Sequence, residues 1–116
     1  MKEIIGDECY NVLDSESFIF YYFTASWCGP CQKIYPKIIE LEEELKKIDI
    51  KEERDKIIFY KIDISNDENE ELCNKCNVES VPSFLLFKNR ICIDRVIGAD
   101  IEKIIKIIGK VIKDIL

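Results

Sequence analysis

The feature that most limits what this chain can become is the apolar run Phe18-Ile19-Phe20-Tyr21-Tyr22-Phe23 and the five residues it feeds, Trp27-Cys28-Gly29-Pro30-Cys31. A run with no polar alternation reads as a strand buried on both faces of its sheet. After Thr24-Ala25-Ser26 the chain turns sharply, which puts Cys28 at the mouth of the following helix. Backbone N–H groups there lack partners, and the helix dipole favours negative charge. A thiolate is the nucleophile of disulfide chemistry, and this setting lowers a cysteine's pKa. Two intervening residues let Cys31 reach back within the first helical turn. Gly29 permits the close approach, and Pro30 sets φ without leaving an N–H unpartnered. Such a pair can open and close with little backbone movement, as a redox switch does.

At 116 residues the chain is expected to form one domain, residues 1–116, large enough for a core without staples. The net charge of -6 argues against a nucleic-acid or anionic-membrane partner. No apolar run approaches the roughly 20 residues that span a bilayer. Met1 to Asp7 is too short in its apolar part and too acidic for a secretory signal. A reducing, cytoplasmic compartment is therefore expected, unless a leader has been removed. Six cysteines in a secreted chain would suggest three structural bridges, yet only Cys28 and Cys31 have a placement that suggests function. The chain has no histidine, which excludes Ser–His and Cys–His nucleophilic catalysis.

Along the chain, Lys2 to Ile5 reads as a short strand and the segment from Asp7 through Cys9, Val12 and Leu13 as a helix. Behind Pro30, Ile34, Ile38, Leu41, Leu45 and Ile48 recur at helical spacing, with a charged face opposite. Pro36 lies inside that helix and should kink it. Lys51 to Lys56 is a solvated charged stretch, and Ile57 to Ile64 a second strand. Ser65-Asn66-Asp67 caps a short helix through Leu72, Cys73 and Cys76. Phe84 to Phe87 and Ile91 to Val96 form a hairpin around Lys88-Asn89-Arg90. The last helix starts near Asp100 and should bury Ile101, Ile104, Ile105, Ile108, Val111, Ile112 and Ile115. Gly109 inside it costs about 1 kcal/mol against alanine, so close packing or fraying is expected there. The order is β-α-β-α-β-α-β-β-α: three parallel strands joined by helical crossovers, with an antiparallel hairpin on one side.

Trp27-Cys28-Gly29-Pro30-Cys31 behind a buried strand, Pro36 five residues on, Val81-Pro82-Ser83 before the hairpin and Gly98-Ala99 before the last helix together resemble the thioredoxin family over almost the whole chain. The resemblance implies the thioredoxin fold, an α/β architecture with a central mixed sheet and helices on both faces. It implies a protein-disulfide reductase in which Cys28 attacks and Cys31 resolves. Pro82 would be cis beside the cysteines, and Val81 would offer backbone groups to the substrate. Trp27, Gly29, Pro30, Gly98 and Ala99 would form the apolar contact surface. Such a protein binds no cofactor, acts as a monomer on disulfide-containing proteins, and is recharged by an NADPH-dependent thioredoxin reductase.

Three positions depart from the family pattern. The buried aspartate usual six residues before the first cysteine is Tyr22 here, although Lys61 matches the lysine that accompanies it. A phenol is a poor base near neutrality, so resolution would be slower or would use water or another carboxylate such as Asp63. Residues 46–56 form a charged insertion of roughly nine residues relative to the family's usual connection, and Arg90 stands where the turn usually has glycine. Tyr22 also leaves a rival reading open, an interaction module that docks partners with little turnover. A disulfide oxidase or isomerase of an oxidising compartment is a third. Cys73-Asn74-Lys75-Cys76 reads as unlinked thiols, a regulatory disulfide or, least of all, a metal site; Cys9 and Cys92 read as small core residues.

Overall fold

The computed structural model describes residues 1–116. The chain runs through β1 (Lys2–Glu3), α1 (Glu8–Asn11), β2 (Phe18–Thr24), α2 (Gly29–Lys46), β3 (Ile57–Asp63), α3 (Glu70–Lys75), β4 (Ser83–Lys88), β5 (Ile91–Ile97) and α4 (Ile101–Ile115). The strands form one sheet in the order β1-β3-β2-β4-β5. Parallel pairing joins β1 to β3 and β3 to β2, as strands joined by helical crossovers require. The β4–β5 hairpin adds antiparallel to β2.

β2 lies at the centre because its side chains have no polar face to offer solvent. Phe20 and Tyr22 point to one side, with Phe59, Phe84, Ile34 and Ile38 and the buried stripe of α4. Ile19, Tyr21 and Phe23 point to the other, with Ile4, Cys9, Ile62 and Leu72. Each large side chain so buried contributes about 2 kcal/mol. The two cores make β2 a rigid base for whatever follows it.

Side chains cap α4 and the turn that leads into α3. Asp100 accepts from the Lys103 N–H at 3.1 Å and caps α4. Asn66 accepts from the Glu68 N–H at 2.9 Å and opens a 3-10 turn that runs into α3. Asn69, fully buried, ties two distant segments together: it accepts from the Gly6 N–H and donates to the Asp63 carbonyl, both at 2.8 Å.

Four expectations need correction. Ile105 is 51% exposed: α4 buries Ile104, Ile108 and Val111 and packs Ile101, Ile107, Ile112 and Ile115 partly against the same core, and position 105, rotated about 100° from Ile104, falls past the edge of that stripe. Gly109 lies on the exposed face with no atom within 4 Å of where a Cβ would sit, and α4 runs unbroken through it, so it is neither packed closely nor frayed. Ile48 falls beyond the end of α2 at Lys46. Cys92 is exposed rather than core, because β5 is the sheet edge and a bulge shifts the register between Leu86↔Asp94 and Phe87↔Cys92. At the hairpin turn, Asn89 and Arg90 both have positive φ (51° and 68°), the conformation that favours glycine, and Arg90 bonds Asp14 across the surface.

Candidate active site

The turn after β2 delivers the cysteine pair. Cys28 is the N-cap of α2 with extended backbone (φ -89°, ψ 108°), Pro30 occupies the first turn, and the helix continues across Pro36. Cys28 and Cys31 are joined as a disulfide, their Cα atoms 5.3 Å apart. The Cys31 N–H points at Cys28 Sγ, 3.2 Å away. In the reduced protein that N–H and the start of an 18-residue helix favour a thiolate at Cys28. Cys28 keeps a 6% exposed corner whereas Cys31 has none, so a substrate sulfur can reach only Cys28.

Residues distant in sequence gather here. The Val81 carbonyl oxygen lies 3.7 Å from Cys28 Sγ, and the Val81–Pro82 peptide is cis. Pro82 is buried, and its carbonyl accepts from the Gly98 N–H at 2.9 Å, which fixes the Gly98-Ala99 loop beside the pair. Gly98 has φ +97°, a value few other residues adopt. Trp27 is 68% exposed next to Cys28, with Gly29, Pro30 and Ala99 also at the surface. The resulting face is apolar and flanked by free backbone carbonyl, suited to an extended polypeptide.

Tyr22 lies behind the pair, 1% exposed, its ring stacked on Phe84 with centroids 5.2 Å apart. Its hydroxyl donates to the Cys31 carbonyl at 2.7 Å. Burial pushes the phenol above its ordinary value, which makes it a still weaker base. Tyr22, Lys61 and Asp63 do come together, lining one cleft of about 340 Å³ with Glu3, Thr24 and Tyr35. Lys61 is engaged, 3.6 Å from Glu3 and 5.1 Å from the Tyr35 ring centre. Asp63 accepts from the Ser65 N–H and hydroxyl at 2.9 and 2.6 Å. The Thr24 hydroxyl is buried in this region without a protein partner, and the sequence offered no sign of it. Gln32, also missed, donates to the Ala25 carbonyl at 3.0 Å and braces the turn from outside.

The other cysteines lie apart from this site. Cys9 is buried, Cys73 and Cys76 are half-buried, and all three are free thiols packed in the core on the far side of the sheet.

A family model described as Thioredoxin matches residues 7–110. Over 98 residues the chain is 34% identical to a thioredoxin of Malassezia sympodialis, covering 84% of this chain and 85% of that protein. It is 35% identical over 94 residues to thioredoxin-2 of Pyricularia oryzae, covering 81% of this chain but only 48%, about half, of the longer protein. Among solved structures, Plasmodium falciparum thioredoxin superposes with a TM-score of 0.80 at 28% identity, over 95% of this chain and 98% of that one. Two cysteines at a helix mouth, a cis-proline beside them and these likenesses over nearly the full length converge: the chain belongs to the thioredoxin family, whose members are oxidoreductases acting on protein disulfides.

Proposed function

We propose that this chain reduces protein disulfides through a Cys28/Cys31 dithiol cycle. The observation that carries the reading is the exposed corner of Cys28 against the fully buried Cys31. The Cys28 thiolate attacks one sulfur of a substrate disulfide, forming a mixed disulfide and releasing one substrate thiolate, which takes up a proton. Cys31 then loses its proton and attacks Cys28 Sγ. The Cys28–Cys31 disulfide forms, the mixed disulfide breaks, and the second substrate sulfur leaves as a thiolate that takes up a proton. Two electrons pass from the dithiol to the substrate. Val81 and Pro82 hold the substrate backbone, while Trp27, Gly29, Pro30, Gly98 and Ala99 supply apolar contact. An NADPH-dependent thioredoxin reductase returns the electrons, and the protein works as a monomer in the cytoplasm, where thiols stay reduced. Tyr22 holds Cys31 in place rather than taking its proton, which passes to water or to a carboxylate of the cleft such as Asp63.

Insulin reduction with dithiothreitol, wild type against Cys28→Ser, tests the cycle. Turnover well above the variant's is expected; equal rates would leave only a docking module. With Cys31→Ser the mixed disulfide persists, and non-reducing gels of a lysate should show covalent adducts that dithiothreitol removes.

A further inference from the structure

One flank of the cysteine pair differs from the apolar face just described. A cleft of about 340 Å³ opens beside Gly29 and Pro30, floored by Ile34, Ala99 and Ile101 and rimmed by Lys33 and Lys37. The two lysines stand four residues apart on α2 and so project from one face of the helix. Neither forms an ion pair, whereas Lys46 and Lys47 at the end of the same helix are each paired with a glutamate three residues back. No carboxylate lines this cleft. Asp100, next to Ile101, is occupied in capping α4. On the opposite flank, the cleft behind Tyr22 contains Glu3 and Asp63, and its one lysine, Lys61, is paired with Glu3. In a chain of net charge -6, two lysines without ion-pair partners therefore stand on one flank of the reactive disulfide, while the carboxylates of Glu3 and Asp63 stand on the other.

We propose that the Lys33–Lys37 cleft is a selectivity site, and that it receives an acidic stretch of the substrate polypeptide adjoining the target disulfide. This rests on the disulfide-reduction reading above. The apolar floor accepts the aliphatic part of glutamate or a neighbouring hydrophobic residue, and the ammonium groups meet the carboxylates. Charges at such a rim act on association and on salt dependence. Two exposed pairs correspond to about a three- to tenfold difference in kcat/KM. The opposite, acidic flank disfavours the reversed placement, so the charges also orient the substrate chain.

The test uses two synthetic peptides, each closed by one disulfide and identical except that Glu-Glu or Lys-Lys flanks it. Rates are measured with the reduced protein, and the acidic-to-basic ratio is taken within each variant so that any general loss cancels. For wild type at about 0.01 M ionic strength the ratio should be about three to ten, falling toward one near 1 M, where the Debye length is about 3 Å. In Lys33→Glu/Lys37→Glu the ratio should invert, and in Lys33→Gln/Lys37→Gln it should approach one. A wild-type ratio of one, or a preference that survives both double substitutions, overturns the proposal while leaving disulfide reduction standing. Reduction of neither peptide by wild type overturns the reductase reading and this one with it.

Discussion

The hydroxyl of Tyr22 donates a 2.7 Å hydrogen bond to the backbone carbonyl of Cys31, joining the central strand to the first turn of the helix that carries the redox pair. A donor so engaged, on a ring stacked against Phe84, acts as a brace. Tyr22→Phe keeps the stack and removes the bond. It should cost about 1 kcal/mol, or about 4 °C in Tm by calorimetry. Tyr22→Asp exchanges the ring for a carboxylate beside Cys31. It should cost about 3–5 kcal/mol in stability and yet shorten the lifetime of the mixed disulfide near neutral pH. Rapid-quench measurement between pH 6 and 9 decides; an unchanged lifetime throughout would show that no base is missing at that position.

The N–H of Cys31 aimed at Cys28 Sγ, 3.2 Å away, predicts which thiol reacts first. After reduction, iodoacetamide should label Cys28 ahead of the other five cysteines, with a half-maximal rate below the pH of about 8.5 typical of a free thiol. Peptide mapping of a partly alkylated sample identifies the site. Labelling no faster than that of free cysteine would remove the chemical basis of the cycle.

Burial pushes the Cys9 and Cys76 thiols from an ordinary 9.0 up to about 11. The folded protein therefore holds those protons at a pH where the unfolded chain has released them. Stability from this source is fully present below pH 9 and is lost as pH rises toward 11. Thermal midpoints should fall steadily over that window, and less steeply in Cys9→Ala/Cys76→Ala. Equal slopes for the two proteins would assign the effect to other groups.

Asn69 satisfies the Gly6 N–H and the Asp63 carbonyl with one buried side chain. Asn69→Ala leaves both without a partner, at about 2–4 kcal/mol or roughly 8–15 °C in Tm. Reductase turnover below the new midpoint should change little, since Asn69 packs among the segments that carry β1 and β3, away from Cys28. A Tm within about 2 °C of wild type would mean that water replaces the amide.

Much of the architecture was legible in advance. The run Phe18–Phe23 announced a strand with two buried faces because it has no polar alternation to spare. The three parallel strands and the hairpin followed from strand and helix order. Errors came where a stripe of apolar residues is wider than the surface that covers it. α4 has isoleucines on several faces, and only contact with the sheet decides that Ile104 is buried and Ile105 exposed. Cys92 was misjudged since hydrophobic pattern does not tell an edge strand from an inner one. Lys33 and Lys37 were visible as a helical i,i+4 pair, but nothing in their spacing distinguishes them from an ordinary solvated face.

Read alone, the sequence determined the short-range features: a buried strand, a turn, and a cysteine at a helix start followed by Gly-Pro and a second cysteine. Side-chain period, capping and the backbone limits of glycine and proline act over a turn or less, so neighbours in the chain suffice to set them. The surroundings of those cysteines were decided by the tertiary structure. Val81 reaches Cys28 across 53 residues, and Gly98 reaches Pro82 through the hairpin, because β2 can bury both its faces only with β3 and β4 at its sides and helices above and below. Burial of one sheet between two layers is a property of the whole chain, and no local pattern encodes which residues it brings to the reactive sulfur.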